Sequence, residues 1–139
     1  MSSRFYLAGP MTGIPSFNFP AFKEAARVLR DRGLEVISPA EIDDPETHDA
    51  AMASPDGAMG SASPHGQTWG DFLSRDIKLV ADVCTAVVLL PGWEKSRGAR
   101  LEAYVALLCD HLLYAYSPTS GYLTALPRSS VMMDIYANT

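Results

Sequence analysis

Glu102 is the residue of this chain with the most chemistry in it. It is the only charge between Leu101 and Cys109, in a stretch otherwise built from Ala, Tyr, Val, Leu and Cys. A carboxylate in such company loses hydration and needs a partner, a proton or a task. Just before it lies Lys95-Ser96-Arg97-Gly98-Ala99-Arg100, a turn of basic and small residues. Helix starts present N–H groups with no partner inside the helix, and such groups hold anions. An anion-holding turn followed by an isolated acid points to a small-molecule site. The plainer reading of Glu102 is an ion pair with Arg100 or a contact with Arg97.

Asp76 is the second anomaly. Trp69, Phe72, Leu73 and Val80 share one face of a predicted helix, and Asp76 falls on that face, four residues from both Phe72 and Val80. An acid in an apolar slot is either a structural ion pair, with Arg75, Lys78 or another base, or part of a site. Two neighbouring carboxyls can divide the work, one as ionised nucleophile and one as an acid with a raised pKa. Glycosidic bonds are cleaved in this manner, through an oxocarbenium-like transition state at the anomeric carbon. Tyr6, at the end of the first apolar run, could hold a carboxylate with its phenol or serve as a core tyrosine with a satisfied hydroxyl. Ser96 suits both an anion and the N-cap of the following helix, and these roles are compatible.

Other chemistries lack their motifs. Gly9-x-x-x-Gly13 has neither the dinucleotide fingerprint nor the P-loop spacing, and no Gly-x-Ser-x-Gly elbow occurs. No cysteine or histidine pair has metal-ligand spacing, so neither metal nor cofactor is expected. Cys84 and Cys109 sit in apolar segments and read as two buried free thiols. His48 and His65 fall in a variable stretch and read as non-catalytic.

The elements that must position these groups follow from the apolar pattern. Arg4–Ala8 reads as a buried strand ending at the turn Gly9–Gly13. Asn18 is the expected N-cap of a helix whose Phe19, Phe22, Ala26 and Leu29 face the core, with Gly33 as its stop. Residues 34–38 form a second strand. Residues 43–68, rich in Pro, Gly, Ser, Ala, Met and acids, have no stable period and read as a flexible insertion. After the Asp76 helix, residues 83–90 form an almost wholly apolar strand, as in the centre of a parallel sheet. The Glu102 helix follows, then a strand over 111–116. The tail from Ser117 is rich in Ser, Thr and Pro, and its Met132, Met133, Ile135 and Tyr136 could dock on the domain or on a second subunit. Alternation of this kind predicts one α/β domain over residues 1–139 with a mostly parallel sheet of four to five strands. Ligands bind at the carboxyl ends of such strands. The Gly9–Gly13 loop, the turn 91–100 and the start of the Glu102 helix all fall at that edge.

Composition narrows the partners. The chain has 139 residues, 47% hydrophobic and 19% charged, with a net charge of −5. That balance suits a globular domain and argues against a general grip on nucleic acid. Lys95, Arg97 and Arg100 are a local basic cluster, which favours a small anion over a polymer. No apolar run approaches a membrane span, and Gly9-Pro10 interrupts the first apolar run too early for a signal peptide. A cytoplasmic protein without a membrane partner is the expectation.

The residues just described also resemble a known family. Phe5-Tyr6-Leu7-Ala8-Gly9-Pro10-Met11, a helix carrying an aspartate, an apolar strand and then Ser96-x-Gly98-x-x-x-Glu102 resemble the nucleoside 2-deoxyribosyltransferase-like superfamily. The run Leu90-Pro91-Gly92-Trp93-Glu94-Lys95-Ser96-Arg97-Gly98-Ala99-Arg100-Leu101-Glu102 is similar to the signature of its small, often phage-encoded branch, to which no function is assigned. The resemblance runs from Arg4 to about Tyr116, outside the insertion. It implies a Rossmann-like, flavodoxin-like fold. It also implies that Glu102 attacks C1′ of a sugar, that Asp76 protonates the departing base or positions the sugar, and that Tyr6 orients the glutamate. Asp71 and Asp82 are neighbouring alternatives to Asp76. Ser96, Arg97, Gly98 and the loop of Gly9, Pro10 and Met11 would hold the sugar-phosphate. A homodimer or larger homo-oligomer is implied as well.

The expected activity is cleavage of the N-glycosidic bond of a (2′-deoxy)nucleoside 5′-monophosphate through a covalent glycosyl–Glu102 intermediate. The basic cluster favours a phosphorylated substrate. Hydrolysis is favoured over base exchange by a 2-deoxyribosyltransferase. A nucleotide-sensing module that binds without turnover is the rival from another class.

Overall fold

A computed structural model describes residues 3–139 of the chain. The elements alternate as the apolar pattern predicts: β1 (Arg4–Ala8), α1 (Phe19–Asp31), β2 (Glu35–Ile37), α2 (Pro45–Ala53), α3 (Trp69–Asp82), β3 (Ala86–Leu89), α4 (Arg97–Leu108), β4 (Leu112–Tyr116), β5 (Leu123–Ala125) and α5 (Arg128–Ala137). They build one five-stranded sheet in the order β2-β1-β3-β4-β5. The first four strands are parallel and β5 runs antiparallel to β4. This is the α/β, Rossmann-like architecture expected, with the flavodoxin-like strand order.

Strand alternation divides the core between the two faces of the sheet. Leu7 and Val88 point to one face and pack with Phe19, Phe22, Ala25, Ala26 and Leu29 of α1. Tyr6, Ala8, Val87 and Leu89 point to the other and pack with Val80 of α3, Ala99, Ala103, Ala106 and Leu107 of α4, and Val131 of α5. β3 is buried along its whole length, which is why its sequence is apolar without alternation. Tyr6 therefore lies on the α3–α4 face because it is odd or even in register, not because of any local signal.

Four expectations need correction. Residues 43–68 are not a structureless insertion. Asp44 caps α2, its carboxylate accepting from the Thr47 amide at 3.4 Å and the Thr47 hydroxyl at 2.5 Å. The segment then returns to the loop after β1: Gly13 N–H donates to Gly57 O at 2.9 Å and Ser16 N–H to Ser54 O at 2.8 Å. Secondly, Asn18 occupies the N-cap position of α1 without capping it. It is left-handed (φ 60°), and its side-chain amide donates instead to Pro10 O at 3.0 Å. Thirdly, the tail from Ser117, to which the sequence assigned no regular element, carries a strand and a helix. β5 extends the sheet, and α5 buries Val131 while its Met132, Met133 and Tyr136 stay exposed. Fourthly, Cys109 is exposed at the end of α4, and only Cys84 is buried.

Gly33 ends α1 as expected, with φ 86°. Among the described residues no helix is long and apolar enough to cross a membrane.

Candidate active site

The strand order reverses direction between β1 and β3, and a crevice opens there at the carboxyl ends of the strands. This is the ligand position in open α/β sheets. Two loops flank it, Gly9–Asn18 after β1 and Pro91–Ser96 after β3. They pack tightly through glycine. A Cβ on Gly9 would come within 2.9 Å of Leu90 Cβ, and one on Gly92 (φ 86°) within 3.3 Å of Pro10.

The crevice is a cavity of about 310 Å³, within the range of small-molecule sites. Gly9, Pro10, Met11, Thr12 and Phe17 line it from the first loop, with Phe19 from α1. Asp43, Thr47, Ala51 and Met59 contribute from the segment between β2 and α3. α3 supplies Trp69, Phe72, Leu73, Arg75 and Asp76, and the start of α4 supplies Lys95 to Ala99 and Glu102. Apolar and small residues make up the larger part of the walls, and six charged side chains, Asp43, Arg75, Asp76, Lys95, Arg97 and Glu102, stand among them.

At the centre, the Tyr6 hydroxyl donates to Glu102 Oε2 at 2.6 Å. Tyr6 is fully buried and Glu102 nearly so. No ion pair joins Glu102 to Arg97 or Arg100 among the described residues. Arg100 donates to Glu94 O at 3.1 Å, and the Arg97 guanidinium stacks on the Trp69 ring 4.1 Å from its centroid. Burial pushes the Glu102 carboxyl well above its usual range, and the Asp76 charge adds to this against the Tyr6 hydrogen bond. Asp76 is pushed up to about 6 by burial, opposed by the neighbouring Arg75 guanidinium. Burial and the two carboxylates likewise raise Tyr6 well above an ordinary phenol.

Ser96 serves as the N-cap of α4, accepting from Ala99 N–H at 3.2 Å. The amides of Arg97 and Gly98 begin the helix and have no carbonyl behind them in it. Of the basic cluster, Lys95 and Arg97 reach the cavity and Arg100 does not. Gly98 would place a Cβ in ordinary contact with Leu73 and Trp69, so packing alone does not demand glycine there. Asp71 closes the capping box of α3 with Thr68, which leaves Asp76 as the α3 carboxylate in the cavity. His48 and His65 pair with acids of the α2 region, away from the cavity lining.

Sequence reasoning missed two groups. Arg75 was visible only as a structural partner for Asp76, yet its guanidinium lines the cavity and bonds both Asp76, at 2.9 Å, and Asp43. Asp43 was absorbed into the insertion, although its side chain is 7% exposed. The sequence did carry a signal: Asp44-Pro45-Glu46 is an N-cap, a proline at N1 and an acid in the first turn.

No curated protein matches the chain. A family model described as a domain of unknown function (DUF4406) matches residues 3–114, which take in β1 through β3, the start of β4 and every residue named in the cavity. The chain therefore belongs to the DUF4406 family.

Proposed function

We propose that this protein cleaves the N-glycosidic bond of a (2′-deoxy)nucleoside 5′-monophosphate, in the manner of the nucleoside 2-deoxyribosyltransferase-like proteins its motifs resemble. One observation carries the reading: an almost fully buried glutamate, held by a buried phenol at 2.6 Å, sits with a second buried acid in one apolar cavity. Tyr6 occupies Oε2 and leaves Oε1 for attack. Glu102 bonds to C1′, the C1′–N bond breaks with its electrons going to the base, and Asp76 supplies a proton to the base nitrogen. Water then attacks C1′ and gives a proton to the Asp76 carboxylate, while the C1′–Glu102 bond breaks with its electrons returning to the glutamate; deoxyribose 5-phosphate leaves and both acids are restored. The phosphate lies against the start of α4, where Ser96, the amides of Arg97 and Gly98, and Lys95 favour an anion. The apolar walls suit the faces of a base. Transfer to a second base in place of water would make the same site a 2-deoxyribosyltransferase.

The test is incubation with a panel of nucleotides and nucleosides, followed by chromatography for free base. Base release is expected from monophosphates above nucleosides. Glu102→Gln should lower it by roughly a thousandfold or more while keeping the fold. The sensing alternative has its own support, since burial favours the neutral form of Glu102. A nucleotide that raises the melting temperature while no base is released from any compound establishes the sensor instead.

A further inference from the structure

The two ends of the cavity carry different groups. The sheet order β2-β1-β3 puts the start of α4, with Ser96, Gly98 and Glu102, on the β3 side and Asp43, which follows β2, on the other. Arg75 bridges towards Asp43. Its Nε and Nη2 both lie 2.9 Å from Asp76 Oδ1, and its Nη1 bonds Asp43 Oδ1. The polar groups thus follow one another across the cavity in the order Glu102, Asp76, Arg75, Asp43.

Asp43 has no structural task beyond that bond. The N-cap of α2 is its neighbour Asp44. The Asp43 side chain is 7% exposed, and its Oδ2 has no hydrogen-bond partner among the described residues. A carboxylate oxygen stripped of most of its water and given no donor is costly to keep. This one stands on the cavity wall. The wall on the side of α1 and α2 is otherwise apolar, with Phe17, Phe19, Ala51 and Met59 packed in one cluster.

We propose that Asp43 is a specificity-determining residue: its Oδ2 accepts from an exocyclic amino group on the base, so that the site takes monophosphates of adenine or cytosine and rejects those of their oxo counterparts. This assignment rests on the glycosidase reading, which sets the direction of the nucleotide. With the phosphate at the start of α4 and C1′ at Glu102, the base extends past Asp76 towards Asp43.

The order of donors and acceptors decides the choice. Moving away from the sugar, the cavity offers first the Arg75 guanidinium, which keeps N–H groups to donate, and then the Asp43 oxygen, which accepts. Cytosine presents the complement in the same order, ring N3 nearer the sugar and the 4-amino group beyond it. Adenine does so with N7 and the 6-amino group. Uracil reverses both, turning N3–H to the guanidinium and O4 to the carboxylate. Hypoxanthine keeps N7 but turns O6 to the carboxylate. Two oxygens facing one another in a desolvated slot make no hydrogen bond, and both stay unpaired.

Calorimetric titration of Glu102→Gln, in which turnover is removed, reads the preference. The probes are the 2′-deoxy monophosphates of cytidine against uridine, and of adenosine against inosine. In at least one pair the amino member should bind roughly tenfold to a hundredfold tighter, and the pair that shows it tells pyrimidine from purine. Asp43→Asn, added to Glu102→Gln, should reverse that preference. Arg75 still requires an acceptor, so the amide oxygen stays on Arg75 and the NH2 takes the place of Oδ2. Equal binding within both pairs overturns the role of Asp43 whatever the stability of the variant, and so does a preference that survives Asp43→Asn. Base release by the wild-type protein from the same four compounds separates this assignment from the reading it rests on. Release without an amino preference overturns the role of Asp43 and leaves the glycosidase standing. A binding preference that reverses in the variant, with no base released, sustains Asp43 and ends the glycosidase reading. If none of the four binds, both fall.

Discussion

Keeping Asp76 in this cavity makes the fold sensitive to alkali at that position. Its carboxyl binds a proton more tightly in the folded state, where burial pushes it up to about 6, than an aspartate at its ordinary value of 3.8. The folded state thus holds more protons between those values, and stability falls as pH rises through them. That difference in proton affinity corresponds to at most ~3 kcal/mol. Asp76→Asn removes this dependence. Its stability relative to wild type should therefore rise as pH is raised from about 4 to about 7, by up to ~3 kcal/mol, in denaturant titrations at each pH. A constant difference would mean that Arg75 holds Asp76 ionised throughout. At this scale much of the site was legible. Glu102 and Asp76 stood out because charge is rare on an apolar helical face, and Tyr6 because it precedes the Gly9 turn. Arg75 and Asp43 did not, because arginine beside aspartate on a helix reads as an ordinary ion pair, and the Asp43 contact spans 32 positions of sequence.

Among the elements, the segment between β2 and α3 departs furthest from what its sequence suggests. α2 lacks a sustained apolar stripe, burying only Thr47 and Ala51, so periodicity passes over it. It is held by non-local backbone contacts that leave no composition signal. The loop it grips is strained: Ser16, Phe17 and Asn18 are all left-handed, with φ of 55°, 51° and 60°. Such a conformation costs L-residues about 1–2 kcal/mol each. The Ser16 hydroxyl's bond to Met52 O at 2.7 Å and the burial of Phe17 offset that cost and hold its ring at the cavity. Gly57 is the joint. It has φ 68°, and a methyl there would run into the Ile14 carbonyl. Gly57→Ala should lower stability by roughly 2 kcal/mol or more. It should also weaken nucleotide binding, because α2 can no longer close against Gly13. Denaturant titration and thermal shift with a nucleoside monophosphate check both; unchanged binding would show that α2 is not a working wall of the site.

Over the whole molecule, the family match stops at residue 114, before β5 and α5. Those last elements are nonetheless tied to the site, through Lys95 and Asn138. The mostly parallel sheet and its carboxyl edge were legible, because alternation and strand burial are written into the apolar pattern; the strand order was not read from it. The tail was not, since α5 docks through only a few residues such as Val131 and Ile135. α4 and α5, which pack together, expose Leu108, Met133 and Tyr136 at 67%, 67% and 72%. We expect copies of the chain to associate through these faces, giving a mass of at least a dimer by light scattering. Met133→Glu with Tyr136→Glu should return the monomer without loss of helix content; an unchanged mass would place the contact elsewhere. The sheet itself bears on how such an assembly is built. Its two edge strands, β2 and β5, are each three residues long, so they offer an incoming chain too little free backbone to continue the ladder. An assembly of copies would therefore have to form through side-chain contacts between helices, because strand addition of the kind that grows open-ended fibres finds no adequate edge.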